Sequence, residues 1–177
     1  MHADKNKLAQ RLFCSKAVHR ELHDSVPPAA VMFNDMVQLA QGKLKSNTTN
    51  LMAGINQSIL LRKQYIELLQ QLSFEHSKAQ AAASTTDKLT GRNSDKFSLK
   101  FKRDSFTPAQ VFALLTINHP TDNHIVNNVV LHVLVAQRCE RIEFPPLNSG
   151  RSQQLFEESD PILQKLLNSE AEIIIMP

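Results

Sequence analysis

Residues 122–143 read DNHIVNNVVLHVLVAQRCERIE, and the architecture of the chain turns on whether this stretch is helix or strand. Ile125, Val126, Val129, Val130, Val133 and Leu134 recur at the spacing of one helical face. The five valines between 126 and 135 argue the other way, because a β-branched side chain loses rotamer freedom on a helix and packs well on a pleated surface. Asn127-Asn128 interrupts strict alternation, so the spacing predicts a helix over 122–143, capped by Thr121 or Asp122.

Working toward the C-terminus, Pro145-Pro146 punctuates the chain and 151–158 reads as a short helix. Asp160-Pro161 opens another, running to about Asn168. Glu172-Ile173-Ile174-Ile175-Met176 is a strand apolar enough to be buried on both faces, and is expected to pair with 97–102.

In the other direction, Phe97-Ser98-Leu99-Lys100-Phe101-Lys102 alternates strictly and predicts a strand with aromatics inward and lysines outward. Thr107-Pro108-Ala109-Gln110 combines a capping hydroxyl, a first-turn proline and a capping-box glutamine. It predicts a helix over 108–117 that packs Val111, Phe112, Leu114 and Leu115. Residues 79–96, AQAAASTTDKLTGRNSDK, have exchanged large apolar side chains for small and polar ones and read as a flexible linker or loop. Before them come three predicted helices, 4–24, 29–45 and 49–78, the first two separated by Val26-Pro27-Pro28. The third carries two adjacent rows, one with Ile55, Ile59, Ile66 and Leu69, the other with Leu61, Tyr65 and Leu68.

These elements predict a helix-dominated α+β chain. A helical hairpin or three-helix unit spans 1–78, a linker spans 79–96, and a compact α+β region with a two- or few-stranded sheet spans 97–177. A single core continuous with the helices is the alternative. With 177 residues the chain has the length of one domain plus an extension. Four isolated glycines, where average usage gives about twelve, leave no GxGxxG or GxxxxGK[ST] loop, which excludes the usual nucleotide cradles. Two cysteines cannot staple a chain this long. No apolar run reaches the length of a membrane span, and the N-terminus lacks the continuous apolar core of a secretory signal. The sequence therefore reads as soluble and intracellular, cytoplasmic first, with nuclear residence and signal-less secretion left open.

The net charge of +3 conceals a division. Residues 1–103 hold 16 Lys and Arg against 8 Asp and Glu, a balance of +8, while 104–177 hold 4 against 9, a balance of −5. Such asymmetry favours oriented contacts.

Four constellations are candidates for chemistry. The striped helix 49–78 offers Ile55, Ile59, Leu61, Tyr65, Ile66, Leu68 and Leu69 as a partner-binding surface, or as core for the neighbouring helices. The basic segment 88–103, with Lys88, Arg92, Lys96, Lys100, Lys102 and Arg103, has the charge to follow a phosphate backbone. His119, Asp122 and His124, with His132 and Cys139 downstream, have the residue types of general acid–base and thiol chemistry. Against that, Cys139 follows an apolar run and reads first as a packed thiol. His19 and His23 stand four apart, as zinc ligands on a helix do, but without the His-Glu-x-x-His pattern and with no third ligand indicated.

No catalytic motif, metal site or cofactor is assigned. The expected function is a non-enzymatic protein–protein interaction module, an adaptor, chaperone-like factor or subunit of a homo- or hetero-oligomeric assembly, acting through 49–78. A nucleic-acid-binding protein acting through 88–103 is the alternative, and a small enzyme built on His119, Asp122 and His124 is the third reading.

Overall fold

In a computed structural model of the chain, residues 31–44, 46–78, 91–120 and 126–176 are described. In chain order the helices are α1 (Phe33–Ala40), α2 (Thr48–Gln57), α3 (Ile59–Leu72) and, after most of the strands, α4 (Pro161–Leu167). The strands are β1 (Glu75–Ser77), β2 (Arg92–Asn93), β3 (Phe97–Arg103), β4 (Gln110–Ile117), β5 (Val129–Val135), β6 (Arg138–Phe144), β7 (Arg151–Glu157) and β8 (Glu172–Ile175). The predicted helix 4–24 and residues 79–90 of the predicted linker lie outside the described residues.

The stretch that reads as a helix over 122–143 is a hairpin. β5 and β6 pair antiparallel from Val129↔Phe144 to Val135↔Arg138. Ala136 and Gln137, both at positive φ (47° and 61°), make the tight turn whose twist matches a two-residue hairpin. The reason for the misreading is burial. Val129, Leu131 and Val133 point into one core, and Val130, His132 and Leu134 into another. A strand covered on both faces has no polar face and therefore shows no alternation.

Two further predicted helices are also strands. Residues 108–117 give β4, whose alternate side chains Val111, Ala113, Leu115 and Ile117 are buried. The start signals before it build a turn instead, closed by Gln110 N–H donating to the Thr107 carbonyl at 2.8 Å. Residues 151–158 give β7, with Ser152 and Phe156 inward. The long helix 49–78 is broken at Ser58, which is extended (φ −101°, ψ 120°) and caps α3 by accepting from Leu61 N–H. Its last residues form β1. The helix-dominated class is thereby corrected: among the described residues strand outweighs helix, and eight strands make two four-stranded antiparallel sheets.

One sheet has the order β1-β8-β5-β6 and the other β2-β3-β4-β7. β8 is buried on both faces, as its sequence predicts, but it pairs with β1 and β5, not with 97–102, which lies in the opposite sheet. The inner faces share a core of Phe97, Leu99, Leu115, Leu131, Phe144 and Ile175 among others, closed by Leu163 and Leu166 of α4. Asp160 caps α4 by accepting from Ile162 N–H at 2.7 Å, with Pro161 in its first turn.

The outer face of the first sheet carries α1, α2 and α3 over a second core that includes Leu39, Ile55, Tyr65, Leu69, Leu134 and Ile174. Each fully buried leucine-sized side chain stabilises by ~1.5–3 kcal/mol, so this second core ties the helices to the sheet. The order of layers is therefore helices, first sheet, second sheet. Within the described residues, the second sheet's outer face has no layer over it.

Candidate functional site

Three places in this layered structure bring chemistry-bearing side chains together. The first is the helix layer. Of the residues nominated on 49–78, Ile55, Tyr65, Leu68 and Leu69 are buried in the chain's own second core. Leu61 and Ile66 are half-buried, and Ile59 remains 41% exposed. Leu60 (64% exposed) lies beside it, and Met32 (65%) and Phe33 (64%) begin α1. Leu61 and Phe33 line one groove of about 280 Å³ between α1 and α3. Ile59 and Ile66 line another, of about 330 Å³, between α3 and the β5–β6 turn.

The second is the outer face of the second sheet. Cross-strand register aligns Lys100, Leu114 and Gln153 in one row, and Lys102, Phe112 and Leu155 in the next. Ser98, Thr116 and Arg151 flank them. Lys100, Lys102 and Arg151 are exposed, and Phe112 and Leu114 are half-buried between them. The expectation that aromatics and lysines lie on opposite faces holds within β3 but not across the sheet, because β4 brings Phe112 to the lysine face. Reading 110–117 as an alternating strand would have found it.

The remaining basic residues are engaged elsewhere. Arg92 is buried, its charge disfavoured by desolvation, and it donates to the carbonyls of Ala171 (2.8 Å) and Asn168. It thus anchors β2 to the segment between α4 and β8 and satisfies the carbonyl of the α4 C-cap, Asn168. Lys96 pairs with Glu75 at 3.1 Å, and Arg103 pairs with Glu158. Lys88 lies outside the described residues.

The third is a polar cluster under the helices. His132 is fully buried, with Nε2 3.2 Å from the Ala40 carbonyl. A carbonyl only accepts, so Nε2 carries the proton and Nδ1 is left as an acceptor, 3.7 Å from Cys139 Sγ. Burial pushes the imidazole pKa down to about 3, with Arg141 adding to the shift and the Ala40 bond opposing it. Burial, with Glu140 nearby, pushes the Cys139 thiol up. The pair therefore holds a neutral thiol against a neutral imidazole, the opposite of the thiolate–imidazolium state of a reactive cysteine. Tyr65 packs edge-on against His132, with ring centroids 5.6 Å apart, and its buried hydroxyl has no hydrogen-bond partner among the described residues. Arg141 Nε donates to Leu39 O at 3.1 Å, and its guanidinium pairs with Glu143. Burial would raise the Glu143 pKa, but Asn128 and Arg141 outweigh it and hold the carboxyl below its usual range.

His119 is exposed beyond β4, away from the buried pair's setting on β5 and β6, and Asp122, His124, His19 and His23 lie outside the described residues. Among the described residues no three His, Cys, Asp or Glu side chains are grouped to hold a metal. No described helix is long and apolar enough to cross a membrane. No family model, curated protein or solved structure matches the chain.

Proposed function

We propose that the chain is a non-enzymatic protein–protein interaction module, an adaptor, chaperone-like factor or assembly subunit working inside the cell, and that it binds its partner along α3. The observation that carries this reading is the exposed apolar ridge of Ile59 and Leu60, with Phe33 and Leu61 lining the groove beside it. Large apolar side chains that a chain leaves in water as a group mark interaction sites, and a ridge flanked by grooves suits an amphipathic partner helix. The neutral, buried Cys139–His132 pair supports the non-enzymatic part. The test compares the tagged full chain with a Phe33→Glu/Leu60→Glu variant, by native mass and by recovery from a host extract. A partner or second copy lost from the variant is the expected result. A wild-type monomer that recovers nothing at low salt, or a variant with an unchanged profile, overturns the proposal.

A second reading has its own observation, the juxtaposition of Phe112 with Lys100, Lys102 and Arg151 on a sheet face that no described element covers. Cations that neutralise phosphates and a ring that stacks on a base are the ingredients of single-stranded nucleic-acid binding. Salt-sensitive binding of random-sequence RNA or DNA, abolished by Lys100→Glu/Lys102→Glu, supports it. Absence of binding at low salt disposes of it.

A further inference from the structure

A concavity of about 830 Å³ opens between α2, the start of α3 and the edge strand β6, with Ile162 of α4 at its margin. Its charged lining is Arg62, Arg138, Arg141 and Glu140. Glu140 is neutralised by Lys165 Nζ at 2.6 Å, and Arg141 is committed to Glu143 and the Leu39 carbonyl. Arg62 and Arg138 have no anionic partner among the described residues. The hydroxyls of Thr48, Thr49 and Ser58 line the same space, and Met52, Ile59 and Ile162 give it an apolar side. Ser58 Oγ accepts from Leu61 N–H, which leaves its own O–H free to donate.

We infer that this cavity is a binding site for a small phosphorylated molecule. Among the described residues, two guanidiniums without an anionic partner, three hydroxyl-bearing lining residues and one already neutralised carboxylate make a site rich in donor groups and positive in charge. Arginine meets phosphate oxygens with two parallel N–H donors, which fixes orientation as well as adding energy. The volume lies within the range of small-ligand pockets, about 300–1,000 Å³, so a phosphate ester fits with its organic part against Met52, Ile59 and Ile162. The site adjoins the proposed partner ridge at Ile59, which both share, whereas Leu60 does not line it.

Inorganic phosphate and phenyl phosphate are the probes, at constant ionic strength, on the full chain. Both should raise the melting temperature saturably, phenyl phosphate binding the tighter. An Arg62→Gln/Arg138→Gln variant should weaken apparent affinity at least tenfold, and Lys78→Gln, an exposed cation just after β1 at the edge of the first sheet farthest from β6, should leave it unchanged. On the unmodified chain, the side-chain Nε–H resonances of Arg62 and Arg138 should move with phosphate and not with chloride, a readout that needs no variant. A response that chloride reproduces, one that never saturates, or one that survives the double substitution overturns the inference.

Discussion

Asn56 and Cys139, 83 residues apart, exchange two hydrogen bonds: Asn56 Nδ2–H donates to the Cys139 carbonyl at 2.8 Å, and Cys139 N–H donates to Asn56 Oδ1 at 3.0 Å. A side-chain amide here does what a neighbouring strand does, closing the outer edge of β6 with the last turn of α2. Replacing Asn56 with Leu removes both bonds and leaves two main-chain groups unpaired at a half-buried site. The expected loss is about 1–3 kcal/mol, read as a lower denaturant midpoint. An unchanged midpoint would show that water restores the edge at no cost.

His132 makes stability depend on acidity in a defined window. An unfolded histidine titrates near 6.5, whereas the folded imidazole is held down to about 3. Between these values the unfolded chain binds a proton that the folded chain refuses. The stability tied to neutral His132 is therefore complete above 6.5 and is lost progressively as pH falls toward 3, by up to ~1.4 kcal/mol per pH unit. Denaturation midpoints measured from pH 7.5 to 4.5 should fall more steeply for the natural chain than for His132→Gln. Parallel curves would contradict the burial of a neutral ring.

Tyr65 offers a substitution that should do no harm. Its hydroxyl is buried with no partner among the described residues, and its ring packs edge-on against His132. Tyr65→Phe keeps the ring and removes a desolvated polar atom, so stability should hold or rise by about 1 kcal/mol. A loss of that size would mean that the hydroxyl has found a bound water.

Gly42 is placed where no other residue fits. Its φ is +72°, and a Cβ there would come within 2.5 Å of Val130 Cγ2. Gly42→Ala should cost roughly 1–3 kcal/mol in a thermal or chemical melt. Adding Val130→Ala relieves the contact but not the backbone, and removes buried methyl groups of its own. The double variant should therefore remain below the natural chain.

Strict sequence alternation and an explicit cap were legible. The alternation of 97–102 gave β3 its true place and faces, and Asp160-Pro161 marked the start of α4. What failed were segments such as β5 and β4, whose local pattern fits more than one structure. β5 has apolar side chains on both faces, and the spacing that looks helical is two buried faces superimposed. At β4, Thr107, Pro108 and Gln110 are as well suited to a tight turn as to a helix start, and only the partners β3 and β7 decide between them. The candidate residues divide the same way. Ile59 stays near the surface, while Arg92 turns inward because two carbonyls between α4 and β8, distant in sequence, are there to receive it. Arg138 carries no local signal at all, since its role depends on a cavity assembled from three separated elements.

Because β5 is apolar at every position but His132, hydrophobicity alone does not say which of its faces should meet the helices. A strand with one polar face cannot slide by one residue without exposing its core set, but VVLHVLV could slide almost unnoticed. His132 supplies the missing mark. Shifted by one position, its imidazole would enter the interior between the sheets, away from the Ala40 carbonyl, and its ring N–H would be desolvated with nothing to receive it. The histidine that reads in sequence as chemistry is thus a register key, and β5, an inner strand of the first sheet, has one correct alignment because of it.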